Sequence, residues 1–165
     1  MNKAWKIAAI TAAAVAVLLV GLNFGFHAVT DQEWDVQRTA VQTAYEKTLL
    51  TKAVKVERFV GDKAYTVIYG EDKIGQPMYV WVSDDEIRSE PGSAGVTAEQ
   101  TEAMVINKYP GADILRVTLG IQDGQPVWEV FYKMKPQEGA RTQYFYDYYA
   151  FKDGQPIDTW RLTTQ

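Results

Sequence analysis

An apolar run near the start constrains this chain more than any other feature. From Ile7 to Phe26 it reads IAAITAAAVAVLLVGLNFGF, about 20 residues without a charge and with only Thr11 and Asn23 polar. A helix of that length covers roughly 30 Å, the hydrocarbon thickness of a bilayer. Lys3 and Lys6 precede the run, whereas Asp31, Glu33 and Asp35 follow it. Positive charge stays inside, so residues 1–6 are expected as a cytoplasmic tail, 7–26 as a transmembrane helix and the remainder as extracytoplasmic. A cleaved signal peptide would have a shorter apolar region ending in a small-x-small site. Here the bulky Phe26 stands two places before Ala28, and the expectation is an uncleaved single-pass signal anchor in the cell membrane.

The chain has 165 residues and no cysteine. Disulfides, a lipidated cysteine and thiolate metal sites are therefore excluded together, and the outer region must be held by its core. Two of the 17 Lys and Arg precede the anchor, leaving 15 against 21 Asp and Glu outside, a balance of about -6. No run of like charge forms a basic stripe, which argues against nucleic acid as a partner.

After the anchor, Thr30 and Glu33 have the spacing of a capping box, and the pattern from Asp31 to about Leu50 predicts a helix. At about 1.5 Å per residue this helix would act as a spacer of roughly 30 Å. Strands are expected at Val54–Val60, Ala64–Tyr69 and Met78–Ser83, separated by Gly61-Asp62 and by the turn-rich 71–77. The polar stretch from Asp84 to Gly95, with Pro91 and two glycines, is the expected boundary: a first module over 27–84, a linker over 85–96 and a second module over 97–165.

The second module opens on another capping-box spacing, Thr97 with Gln100, and its helix should stop at Tyr109 because Pro110 and Gly111 cannot continue it. Further strands are expected at Ile114–Ile121, Pro126–Lys133, Gln143–Phe151 and Ile157–Leu162, with Asp123-Gly124 and Asp153-Gly154 as hairpin signals. Tyr65–Gly70 aligns with Trp128–Lys133, and Tyr79–Asp84 with Tyr148–Asp153, as a weak internal repeat. The expected class is α+β: the N-terminal helix, then two similar modules, each one helix packed on an antiparallel sheet.

The segment VERFVGDKAYTV (Val56–Val67), then Tyr79-Val80-Trp81-Val82, and later Trp128-Glu129-Val130 resemble the TseB-like cell wall elongation regulators of Gram-positive bacteria. With the anchor, the resemblance covers nearly the whole chain. It implies tandem PepSY-like, cystatin-like modules facing outward, and a role beside an elongation-phase penicillin-binding transpeptidase in peptidoglycan synthesis. One departure is visible: PepSY-like strands commonly carry Asp before the final turn, where this chain has Ala150, although Gly154 keeps the turn.

Little in the chain has the pattern of catalytic chemistry. The single histidine, His27, lies at the membrane boundary, so neither a Ser-His-Asp relay nor a histidine metal site can form in the outer region. Ser83, Ser89 and Ser93 stand in neither Gly-x-Ser-x-Gly nor Ser-x-x-Lys. Asp84-Asp85-Glu86 lacks the alternating ligand order of a calcium loop and reads as a solvated linker face. Glu129 and Asp147 are the remaining acid pair, which glycosidase chemistry would need roughly 5 to 10 Å apart in a cleft; a polar contact on the outer sheet face is the expected role. The expectation is no enzyme, no cofactor and no metal.

Aromatics, 13% of residues, concentrate in the strands. Alternation sends Tyr79 and Trp81 to one face and Met78, Val80 and Val82 to the other, so one face can meet the helix and the other the second module or a partner. Tyr144, Tyr146 and Tyr148 read mainly as core and sheet surface. Tyr79, Trp81, Tyr146 and Tyr148 are the candidate partner interface. The expected function is a non-catalytic, membrane-anchored interaction protein regulating cell wall elongation by binding a penicillin-binding transpeptidase. The alternative is a PepSY-like inhibitor or chaperone of an exported peptidase, which would share every sequence feature and differ only in its target.

Overall fold

The computed structural model describes residues 33–135, 137 and 139–162, so the expected tail and membrane segment lie outside the described residues. No helix among the described residues is long and apolar enough to cross a membrane. The chain divides into two compact units, Met1–Thr39 and Ala40–Gln165. In the first, residues 33–39 are helical and expose Trp34 and Val36. In the second, helix α1 (described over 33–47) continues to residue 47. It buries Ala40 and Ala44, whose small side chains at i and i+4 let the helix sit close on a sheet.

Leu50, expected to end that helix, instead begins a strand: the Thr48 hydroxyl donates back to the Ala44 carbonyl at 2.7 Å and accepts from the Leu50 N–H at 3.1 Å, turning the chain. Strands β1 (Leu50–Val60), β2 (Ala64–Asp72), β3 (Pro77–Val82) and β4 (Ile87–Pro91) follow, paired antiparallel in the order β1-β2-β3-β4. A short 3-10 turn, Gly92–Ala94, leads to α2 (Ala98–Lys108). Strands β5 (Asp113–Gln122), β6 (Gln125–Met134), β7 (Gln143–Ala150) and β8 (Pro156–Leu162) then form a second antiparallel sheet in the order β5-β6-β7-β8. Among the described residues the architecture is α+β, with one α-helix and four strands in each half.

The capping box forms as the spacing predicts: Thr97 Oγ1 accepts from the Gln100 N–H, and the Gln100 side chain accepts from the Thr97 N–H. Asp123 and Gly124 turn β5 into β6 with φ of 50° and 70°, the left-handed pair that a tight hairpin requires.

β4 was not expected, because IRSEP falls inside the stretch 85–96 read as a linker. It forms because β3 would otherwise be an edge, and pairing runs from Val82↔Ile87 to Met78↔Pro91. Little apolar surface is needed: Ile87 packs toward α1, while Arg88 and Glu90 lie across from Trp81 and Tyr79 on the other face and pair with each other at 3.1 Å.

The repeat is correct in topology and partly wrong in register. Val80 faces α1 and Tyr149 faces α2, so the second alignment preserves faces. The first does not: Val67 faces away from α1, whereas Val130, aligned to it, faces α2. An odd offset in a strand exchanges its two sides.

Sheet A (β1–β4) has two apolar faces. Ile68, Met78 and Val80 pack under α1, and Phe59, Tyr65, Val67 and Trp81 belong to a larger core shared with Leu119, Ile121, Trp128 and Phe151 of the second half. The sheets are not hydrogen-bonded into one; one face of sheet A packs against the edge strand β5 of sheet B (β5–β8) and the residues beside it. The Phe59 ring covers Gly120, where any Cβ would come within 2.4 Å of it. Asp123 donates its N–H to Asp62, Arg88 donates to the Gly124 carbonyl at 3.2 Å, and the Trp128 indole donates to the Val96 carbonyl at 2.8 Å. Fully burying a large apolar side chain is worth about 1.5–3 kcal/mol, and the shared core holds several such side chains from each sheet.

Candidate functional site

Sheet B carries Glu129, Asp147, Tyr146 and Tyr148 among the side chains that the sequence singles out, and strand pairing decides which of them meet. Val130 lies opposite Asp147, and Glu129 opposite Tyr148. Cross-strand partners share a face and neighbours along a strand do not, so Glu129 and Asp147 project from opposite faces of the sheet. They cannot flank one bond, and the acid-pair geometry of a glycosidase is not assembled from them.

Each acid has a structural role. Asp147 is 1% exposed and faces α2, where Oδ1 accepts from the Tyr132 hydroxyl at 3.0 Å. Its Oδ2 accepts from Lys108 at 3.1 Å and from the Tyr149 hydroxyl at 3.2 Å. This network ties the last turn of α2 to β6 and β7. Partial burial opposes the Lys108 charge, but hydrogen bonds to Tyr109 and Asp147 outweigh it and raise the lysine pKa. Burial first, and then the adjacent carboxylate, push the Tyr149 phenol up to about 12 and that of Tyr132 higher still. On the opposite face Glu129 accepts from Arg116 at 3.0 Å and from the Tyr148 hydroxyl at 2.9 Å.

The acidic cluster at 84–86 closes the end of sheet A. Asp85 takes Lys63 on both oxygens at 3.0 Å and the Ser83 hydroxyl at 2.9 Å, and the Lys63 bond holds its carboxyl below the usual range. Glu86 accepts from the Tyr65 hydroxyl at 3.2 Å. Among the described residues no group of three or more His, Cys, Asp or Glu is placed to hold a metal ion.

The four candidate interface residues separate into two places. Trp81 is fully buried in the seam between the sheets. Tyr79 is half-buried there, edge-on to Tyr69, Trp81, Trp128 and Phe151 at 5.5–6.4 Å. This corrects the expectation for Trp81: its face of β3 is covered by the second half, and no partner touches it without opening the fold. Tyr146 and Tyr148 lie instead on the outer face of sheet B, the side away from α2. There Tyr148 is 8% exposed, its hydroxyl held by Glu129, while Tyr146 is half-buried and stacks on Phe131 at 4.6 Å.

Phe131 also stacks on Tyr144 at 5.9 Å, and Arg116 lies over the Phe131 ring. Trp160, on β8 opposite Tyr146, is 55% exposed and meets Tyr148 edge-on at 6.0 Å. No helix of the described residues covers this surface, since α1 packs on sheet A and α2 on the inner face of sheet B. Sequence reading placed Phe131 and Trp160 in strands without assigning them to this surface. Their membership follows from register, Phe131↔Tyr146↔Trp160, which alternation within one strand does not supply.

Residues 39–83, from α1 through β3, match the model of the cell wall elongation regulator TseB-like domain. Over 144 residues the chain is 31% identical to the probable cell wall elongation regulator TseB of Bacillus subtilis (strain 168), covering 86% of this chain and 86% of that protein. The solved structure of the YpmB protein from Bacillus subtilis is similar with a TM-score of 0.64 and 28% identity, across 76% of this chain and 96% of that one. The identity thus runs well beyond the first sheet, and the chain belongs to the TseB-like family of cell wall elongation regulators.

Proposed function

We propose that this chain is a non-catalytic, membrane-anchored regulator of cell wall elongation that acts by binding a penicillin-binding transpeptidase outside the membrane, through the outer face of sheet B. The observation that carries this reading is the row Tyr144, Tyr146, Phe131 and Trp160, an aromatic surface left uncovered by either helix. Aromatic residues are enriched at the centres of protein interfaces because they bury large area at low entropic cost. An anchor at 7–26 would confine the chain and its partner to one surface, so that a modest contact suffices.

The separation of Glu129 from Asp147 supports a non-catalytic role, as does the regulator name of the relative. In vivo photocrosslinking tests the reading, with a photoreactive residue at Tyr144 or Tyr146 and with Trp81 as the buried control. Capture of a penicillin-binding transpeptidase from the first two positions and not from the third supports it. Capture of an exported peptidase instead, or equal capture from all three, would sink it.

A further inference from the structure

The two sheets have four edges, and three carry guards within the fold. Edge strand β5 lies against sheet A, with the Leu119 N–H donated to the Tyr69 hydroxyl and the Asp123 N–H to Asp62. On β1, the Ala53 N–H is donated to the Tyr45 hydroxyl at 2.9 Å. The β4 edge is five residues long, ends in Pro91 and carries the Arg88–Glu90 pair. Short strands, proline and charge are the ordinary means of stopping edge pairing.

The fourth edge, β8, is exposed at all seven residues and includes Ile157, Trp160 and Leu162 at 51%, 55% and 44% exposure. Pro156 stands at its start and Arg161 near its end, and its centre is guarded by Asp158. One carboxylate oxygen accepts the Thr159 N–H at 2.7 Å, and the other accepts the Trp160 indole N–H. An amide satisfied by its neighbour's side chain is not committed to the ladder with β7, so the Thr159 N–H faces outward from the sheet.

We infer that β8 is a self-pairing edge, at which a second copy of this chain adds antiparallel with Thr159 facing Thr159 of the other copy. A two-fold axis normal to the sheet permits only registers that keep each side chain on its own face, and in this one Asp158 falls opposite Trp160 and Ile157 opposite Arg161. The interface is self-complementary in the way a two-fold contact requires. Each Asp158 carboxylate leaves its own Thr159 N–H, which pairs with the other strand, and takes the indole N–H of the facing Trp160. The bonds that guard the monomer edge are exchanged for equivalent bonds between copies, and the exposed Ile157 and Trp160 gain cover.

The chain has no cysteine, so single cysteines report contact without a background. Facing residues of an antiparallel pair lie within the span a disulfide can bridge. In membranes carrying the full chain, mild oxidation should link Thr159→Cys into a disulfide dimer. Arg161→Cys, whose facing residue is Ile157, and Ser89→Cys on the β4 edge should give at least fivefold less. Adding Trp160→Ala to Thr159→Cys should reduce the dimer severalfold, because the exchanged bond is lost. Absence of a Thr159→Cys dimer, or equal linking at Thr159, Arg161 and Ser89, would overturn the inference.

Discussion

The hydroxyl of Tyr69, on the central strand β2, accepts the backbone N–H of Leu119, on the edge strand β5, at 2.9 Å. A side chain from one sheet thereby supplies the hydrogen bond that a neighbouring strand would otherwise give. Leu119 is fully buried, so Tyr69→Phe leaves its N–H without a partner and should cost about 1–3 kcal/mol. Urea denaturation of the outer region, followed by tryptophan fluorescence, gives the value. A change below a few tenths of a kcal/mol would mean that the bond contributes nothing to the seam.

Gly120 tests the same seam by packing. The Phe59 ring occupies the place of a Cβ at Gly120, so Gly120→Ala should destabilise by about 1–3 kcal/mol through overpacking. Shortening the ring, as in Phe59→Leu, should recover part of that loss in the double variant. A double-mutant cycle with no coupling would contradict the contact.

The Asp147 network predicts an asymmetry. Lys108 is 41% exposed at its side chain and Asp147 only 1%. Lys108→Met strands a buried carboxylate and should cost about 3–5 kcal/mol. Asp147→Asn leaves a lysine that water can reach and an amide oxygen that still accepts from a phenol, at about 1–3 kcal/mol. Thermal unfolding of the two variants side by side ranks them; the reverse order would refute the assignment.

Tyrosine ionisation predicts an alkaline limit. Burial, aided by neighbouring carboxylates, raises the phenols of Tyr132, Tyr148 and Tyr149, the last to about 12. A pKa raised in the fold stabilises fully below the unfolded tyrosine value of about 10, and that stability is lost as pH rises toward the folded value. Unfolding midpoints should therefore fall between about pH 10 and 12. The absorbance change at about 295 nm for these tyrosines should track the loss of fold; early, non-cooperative titration of all ten tyrosines would count against their burial.

Thr97→Ala removes the side-chain half of the capping box and should cost about 1 kcal/mol, in the range measured for other caps. Thr97→Ser should retain most of it, and equal losses for both would place the cost elsewhere.

Local chemistry determined much of this fold in the sequence itself. The capping box at Thr97 and Gln100, the stop before Pro110, the Asp123-Gly124 hairpin and the alternation of β3 are each encoded within a few residues. A side-chain period of two or a left-handed turn carries its signal in neighbouring positions. Leu50 departs from the helix its spacing predicts because that apolar spacing suits a strand equally well, and the Thr48 hydroxyl that turns the chain acts at one residue.

Only the tertiary structure decided the rest, because it depends on pairing between distant segments. β4 has almost no pattern of its own and exists through its bonds to β3. Register sends Glu129 and Asp147 to opposite faces, places Trp81 in the seam between the sheets, and lines up Phe131, Tyr146 and Trp160 on one surface. A one-residue shift would reverse each assignment, and the interactions that set the register lie tens of residues away. The sequence by itself determined which residues are aromatic and which strands hold them; packing of sheet A on β5 decided which of those aromatics became core and which remain available for contact.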